Sequence, residues 1–310
     1  MMKKTLALAA AVTMLAFSLS GCASNKKEKG ARTAEEPVSV TEYIDVEIPV
    51  PAKLCFLGDS IPAGFGLDFY DPDDLSKCSS YPNLLHEQYA AEISDVCVQE
   101  TYNESVSGYT STELLELIRS GEIDYAIEGA DAVVISIGGN DVLGIVLEYV
   151  ARSGIDFSDF SVLDVKVNEL LKGLNEIGGE IDYAINDLTF NLREITQEVR
   201  ARTDGDIYFQ TVYEPIQYFS YLKPIVDFCD KKIKLLNEAI YDASIYNDER
   251  IYSVIDVVPP FEGKYGEYTN IKKYDIHPND EGHKLLAEEI DSVLREKTYS
   301  VTVVQTSTQQ

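Results

Sequence analysis

Three short segments of the chain gather residue types suited to nucleophilic catalysis. The first, Leu57-Gly58-Asp59-Ser60-Ile61-Pro62-Ala63-Gly64, follows an apolar run. A serine on such a glycine-bearing turn exposes its hydroxyl and points the N–H groups of the turn toward one spot, which suits a nucleophile with its own oxyanion donor. The second, Ile137-Gly138-Gly139-Asn140-Asp141, joins two glycines that allow close backbone approach to an amide able to donate to a developing negative oxygen. Asn140 equally suits the cap of a following helix. The third, Tyr274-Asp275-Ile276-His277-Pro278-Asn279-Asp280-Glu281-Gly282-His283, holds two of the chain's 3 histidines. His277, in a loop that opens a helix, can reach a serine at the same edge of a sheet. Asp280 and His283 form a competing acid–base pair at three-residue spacing, in a first helical turn where an acid is favoured anyway. His86, beside Leu84 and Leu85 in a helical segment, reads as packing or surface.

These loops need a sheet to bring them together. Five apolar or β-branched runs, residues 53–57, 96–101, 132–137, 206–212 and 251–257, alternate with longer segments of helical period. Several are apolar on both faces, as buried parallel strands are, and the alternation predicts a doubly wound α/β sheet with function in the loops past the strand ends. Residues 81–92 and 111–120 are predicted helices. Ile181, Ile185, Leu188, Leu192, Ile195 and Val199 draw one apolar stripe, and Cys229, Ile233, Leu236, Ile240 and Ala243 repeat it; both stripes are expected to be core faces. The stretch 144–202 is long for one crossover. It predicts two or three helices interrupted at Ser153-Gly154 and Gly178-Gly179, and it is the candidate substrate wall.

Taken together and in this order, the segments resemble the blocks of the GDSL, or SGNH, hydrolase family. That family is named for a serine in a Gly-Asp-Ser block, a block II glycine, an asparagine in a Gly-x-Asn-Asp block and a histidine near the C-terminus. Block II is placed at Asn103-Glu104-Ser105-Val106-Ser107-Gly108, with Ser105 where the family often shows another glycine. The resemblance covers roughly residues 53–295. It implies a three-layer α/β/α sandwich, flavodoxin-like, with about five parallel strands, that hydrolyses esters without a cofactor. It also implies Ser60 as nucleophile, His277 as general base and then acid, and an oxyanion hole from the N–H groups of Ser60 and Gly108 with the Asn140 side chain. One position departs from the pattern. The family usually carries its acid three residues before the histidine, where this chain has Tyr274; either Asp275, two before, orients the imidazole through a shifted turn, or a backbone carbonyl does so and leaves a Ser–His dyad.

Charge and chain ends narrow the setting. The formal net charge is −27, and so acidic a surface repels phosphate backbones, which disfavours nucleic acid as a partner. Expected substrates are small acyl esters on carbohydrate, acetyl first, with lipid or lysophospholipid esters next; the rival is a glycan-binding lipoprotein without turnover. Tyr213, Tyr218, Tyr221, Tyr265 and Tyr268 could stack on sugars. Lys3, Lys4, the apolar run 6–19 and Leu19-Ser20-Gly21-Cys22 read as an export signal, and the last four residues resemble the lipobox of bacterial lipoproteins. The expected organisation is a signal peptide over 1–21, a lipidated Cys22 opening a flexible tether over 22–44, a hydrolase domain over 45–298 and a disordered tail over 299–310. That places the chain on the outer side of a cell membrane, held by its lipid. Cys55, Cys78, Cys97 and Cys229 read as buried thiols, Cys55 and Cys97 in strands and Cys229 on a helix stripe, with two disulfides as the alternative. The Asp71-Pro72-Asp73-Asp74 cluster reads as a solvated loop rather than a calcium site, no spacing suggests zinc, and Gly64 and Gly66 lack the third glycine of a dinucleotide site. Oligomeric state is left open.

Overall fold

The computed structural model describes residues 38–153 and 171–309. Its strands are β1 (Val38–Ile48), β2 (Lys53–Gly58), β3 (Glu100–Asn103), β4 (Ala132–Ser136), β5 (Asp206–Gln210), β6 (Ile245–Tyr246), β7 (Glu249–Arg250), β8 (Ser253–Ile255) and β9 (Tyr299–Gln309). Its helices are α1 (Ser60–Ala63), α2 (Tyr81–Ile93), α3 (Ser111–Ser120), α4 (Asp124–Ile127), α5 (Gly139–Ser153), α6 (Gly178–Arg200), α7 (Lys223–Ala243), α8 (Val258–Phe261), α9 (Tyr265–Tyr268) and α10 (Asp280–Leu294). Residues 42–305 make one compact unit.

Five strands in the order β3-β2-β4-β5-β8 form the central sheet, and every neighbouring pair is parallel. Side chains alternate across a strand, so the apolar runs feed two separate layers. Leu54 and Phe56 of β2 pack with α2 and α10, whereas Cys55 and Leu57 pack with α3, α6 and α7. This is the three-layer α/β/α sandwich. Chain direction across the sheet reverses between β2 and β4, and in open α/β sheets ligands bind in the crevice outside the carboxyl ends of the strands at such a point. The Ser60 turn follows β2 and the Asn140 turn follows β4, so the two lie on either side of that crevice.

Gly58 is what lets the two turns meet. It lies opposite Ser136 in the sheet register at φ +147°, and a Cβ there would run into the Ser136 carbonyl. With no side chain in the way, the Asp59 N–H donates to that carbonyl at 3.1 Å.

Several expectations need correction. The second sheet strand starts at Glu100 rather than Val96, because the N–H groups of Val96 and Cys97 bond back to the Ile93 carbonyl and finish α2. Cys97 is therefore half-buried in a loop and not in a strand, while Cys55 does lie buried in β2; all four of these cysteines are free thiols. The tail expected to be disordered is β9, and the end of the expected tether is part of β1. The two pair into a two-stranded sheet because both alternate β-branched with polar residues, and Thr302 Oγ1 donates to Asp45 Oδ1 at 2.7 Å. Gly178 and Gly179 begin α6 instead of breaking a helix; the interruption falls at Ile177. The break expected at Ser153-Gly154 has α5 ending at Ser153, and Gly154 itself, like Cys22 and the segment 1–21, lies outside the described residues. Among the described residues no helix is long and apolar enough to cross a membrane.

Candidate active site

Ser60 is the first residue of α1, and Asp59 caps that helix by accepting the Ile61 N–H at 3.0 Å. Its Oγ stands 2.9 Å from His277 Nε2, across 217 residues of chain. His277 lies just before α10, whose N-cap Asn279 accepts the Gly282 N–H at 3.0 Å and donates to the Glu267 carbonyl. On the far side of the imidazole, Nδ1 is 2.6 Å from Asp275 Oδ1. A carboxylate only accepts, so a neutral imidazole here carries its proton on Nδ1 and turns the Nε2 lone pair toward the serine hydroxyl.

The two-residue spacing between Asp275 and His277 works because of Tyr274. That residue adopts a left-handed conformation, φ +63°, at the end of the helical turn Ile271–Lys273. The chain folds back after it, and Asp275 Oδ1 accepts the His277 backbone N–H at 3.0 Å as well as the ring. This is an Asx turn, a local side-chain bond that holds the loop without help from the family's usual spacing. The exposed Tyr274 ring stacks on Phe219, 5.9 Å between centroids, and Phe65 lies against the imidazole at 4.7 Å.

Gly108 and Asn140 reach the same place from the other side. Gly108, at φ +91° in the loop between β3 and α3, shares a cavity lining with Ser60, Asn140 and His277. Asn140 Nδ2 donates to the Tyr109 carbonyl at 2.9 Å. An amide nitrogen carries two hydrogens, so one remains for a ligand. Four of the five residues singled out from the sequence thus line one cavity, and the fifth, Asp275, holds His277 from behind, so the site provides a hydroxyl beside a base, an acceptor behind the base and potential donors in the same lining.

The cavity has a volume of about 600 Å³ and its lining is mostly apolar. Val142 and Val146 of α5, Ile181 of α6, and Ile225, Phe228 and Ile233 of α7 form much of the wall. The long 144–202 stretch supplies part of it, as expected, but the second apolar stripe divides. Leu236, Ile240 and Ala243 are core, whereas Cys229 and Ile233 face the cavity. Two carboxyl groups, Asp59 and Glu214, and one amine, Lys232, also line it. Burial pushes the Asp59 carboxyl up to about 7, with Asp141 adding to the rise, and burial does the same for Glu214, also to about 7. Lys232 is held by the Asp182 carboxylate at 2.5 Å and the Gly178 carbonyl at 2.9 Å.

A family profile described as the GDSL-like Lipase/Acylhydrolase family matches residues 56–285. The chain belongs to that family. This GDSL-family chain is 22% identical over 236 residues to the spore germination lipase LipC of Bacillus licheniformis, a match covering 76% of this chain and 92% of that protein. Among solved structures it resembles a lipase from a goat rumen metagenome, with a TM-score of 0.53, 19% identity and coverage of 77% of this chain and 96% of the other. It also resembles a catalytic mutant of an acetylxylan esterase from Geobacillus stearothermophilus, with a TM-score of 0.50, 16% identity and coverage of 78% and 93%. At these identities the structural likeness speaks for the fold. Family membership makes the chain a carboxylic ester hydrolase of the GDSL type.

Other sequence candidates fall outside the hydrolase's crevice. His283 is fully buried in α10, where its Nδ1 accepts the Tyr81 N–H at 3.2 Å and its ring stacks on Tyr81. It satisfies one of the unpaired donors that open α2, and burial pulls its pKa down to about 3. His86 is exposed and bonded to Gln99 at 2.6 Å. Asp71 and Asp74 pair with Lys77, and no cluster able to hold a metal occurs among the described residues. Tyr265 is buried, which removes it from any sugar-stacking surface, whereas Tyr213, also buried, lines the cavity. Sequence reasoning missed Asp59, Glu214 and Lys232 in the cavity lining. For Asp59 the signal was present, since an acid beside Ser60 on a strand-to-helix turn must be either a cap or buried.

Proposed function

We propose that the protein hydrolyses carboxylic esters through Ser60, with His277 as base and acid, Asp275 orienting His277, and an oxyanion site made by the N–H groups of Ser60 and Gly108 and the Asn140 amide. Ser60 Oγ attacks the ester carbonyl carbon while its proton passes to His277 Nε2. The tetrahedral oxyanion is held by the three donors, which act most strongly where charge develops. Collapse breaks the bond to the alcohol oxygen, which leaves with the proton from His277. Water then attacks the acyl-serine, again giving its proton to Nε2, and the carboxylic acid departs as Ser60 recovers its hydrogen. The observation that carries this reading is the 2.9 Å and 2.6 Å pair of contacts that joins Ser60, His277 and Asp275 in one line.

The cavity supports a substrate with an apolar acyl chain. From the sequence alone a small acyl group on carbohydrate came first and lipid esters second; the apolar walls beside Ser60 support the reverse order. A volume of about 600 Å³ lies in the range that holds a drug-sized ligand, and acetyl would leave most of it unfilled. Each methylene buried is worth about 0.8 kcal/mol, or about fourfold in kcat/KM. Across p-nitrophenyl acetate, butyrate, hexanoate and octanoate, kcat/KM is expected to rise at least about a hundredfold, short of the full additive gain. A series that peaks at acetate and falls thereafter would return the reading to a deacetylase.

We also propose that the chain acts outside the cytoplasm, exported by residues 1–21 and anchored through lipid on Cys22. Support comes from the lysines, apolar run and small residues before that cysteine, all outside the described residues. In a bacterial host, Cys22→Ala is expected to move the protein out of the detergent-soluble membrane fraction; unchanged membrane retention would rule the anchor out.

A further inference from the structure

Resting on the oxyanion assignment above, the inference concerns what sets the distance between two of its donors. Gly108 sits on the loop after β3, and Asn140 in the first turn of α5, after β4. Two consecutive side chains of that helical turn grip the loop. Asn140 Nδ2 donates to the Tyr109 carbonyl at 2.9 Å, and Asp141 takes both donors of Ser111, the backbone N–H at 2.9 Å on Oδ2 and the hydroxyl at 2.5 Å on Oδ1. Ser111 is completely buried and its oxygen is used twice, because Asn191 Nδ2 of α6 donates to it at 2.9 Å. Asn191 also reaches Thr112 Oγ1 at 3.0 Å.

We propose that Ser111 and Asp141 are positioning residues of the oxyanion site, a clamp, braced by Asn191, that fixes the Gly108 N–H relative to the Asn140 amide. The clamp lies directly beside the donors: Tyr109 follows Gly108, Asp141 follows Asn140, and residues 109–111 are bonded to 140–141 at three points. Local structure alone does not require it. Helix α3 is already capped by Thr110, whose Oγ1 accepts the Glu113 N–H while its own N–H donates to the Glu113 carboxylate. Asp141 is poorly solvated, and burial raises its pKa while the two Ser111 bonds oppose the rise; a carboxylate kept in such a place is tied to what it holds. Misplacement of a donor by a fraction of an ångström weakens the transition state more than the ground state, so the clamp's signature is a loss in kcat with KM preserved.

Ser111→Ala removes one of the three bonds and leaves the backbone bond and the Thr110 cap. On a p-nitrophenyl ester it is expected to lower kcat about ten- to a hundredfold with KM within about threefold, while Ser111→Thr, which keeps the hydroxyl, restores most of the rate. Binding of an alkyl boronic acid, which mimics the tetrahedral intermediate, is expected to weaken in step with kcat. Asn191→Ala is expected to follow the same direction with a smaller loss. The proposal is overturned if Ser111→Ala keeps kcat within twofold of the wild type, or if its kcat loss is matched by a rise in KM and is not rescued by threonine. A wild type without turnover on any ester would instead sink the hydrolase mechanism itself.

Discussion

Ser60→Ala is expected to lower ester turnover by about four to six orders of magnitude, to what the remaining donors and binding alone supply. The size follows from the mechanism. Without Oγ no acyl-serine forms, and the oxyanion donors are left to assist a water that nothing aims. The fold should be spared, because the oxyanion donor proposed at Ser60 is its backbone N–H, which alanine keeps, and α1 keeps its Asp59 cap. KM and the thermal midpoint are therefore expected to stay near wild-type values while kcat collapses. Steady-state kinetics on an octanoyl ester, with the thermal melt alongside, checks both. Residual activity above about a hundredth of wild type would mean that a different nucleophile, or water activated directly by His277, does the chemistry.

The histidines separate next. His277→Ala is expected to lose at least about ten-thousandfold in kcat, since it removes the only base within reach of Ser60 Oγ among the described residues. His283→Ala is expected to keep kcat within about tenfold and to lower the thermal midpoint, because the Tyr81 N–H then loses its acceptor, at about 1–3 kcal/mol. Asp275→Asn belongs to the same comparison. An asparagine at this place offers Nδ1 no charge and favours the wrong tautomer, so a loss of about 10²–10⁴-fold is expected. A loss under tenfold would mean that Asp275 serves mainly the backbone turn through the His277 N–H. Turnover that survives His277→Ala and vanishes in His283→Ala would reassign the base.

How much of this was legible in the sequence depends on what each feature is made of. Ser60, Asn140 and His277 could be found because their chemistry rests on residue type at the strand-to-helix turns and helix starts past the sheet, and the sheet that aligns them follows from strand–helix alternation. Asp275 was left open because the backbone of Tyr274 decides it. A left-handed tyrosine is uncommon, nothing in its residue type announces it, and without it the acid would not fold back onto the imidazole. The cavity was hidden for a different reason. Cys229 and Ile233 share one helical stripe with Leu236, Ile240 and Ala243, and apolar residues look alike whether they meet a neighbouring helix or an empty space reserved for substrate. Ser111 was invisible because its partners lie 30 and 80 residues away in the chain. The C-terminal strand was misread on composition: Ser, Thr and Gln suggested disorder, yet the alternation of Tyr299, Val301 and Val303 with Ser300 and Thr302 is what a paired strand needs.

The acidity of the chain bears on which esters it takes. A net charge of −27 disfavours anionic esters held by ion pairs, and the apolar cavity makes no call on such pairs. Neutral acyl esters fit both observations, which is why chain length, and not head-group charge, is the variable that discriminates among substrates.

The most direct measurement is covalent. Wild-type protein treated with an alkyl fluorophosphonate and digested for mass mapping is expected to carry one adduct, on Ser60, with turnover lost in proportion to labelling and no adduct in His277→Ala over the same time. Full turnover after saturating treatment, or an adduct on a serine other than Ser60 that tracks the loss of activity, would contradict the account.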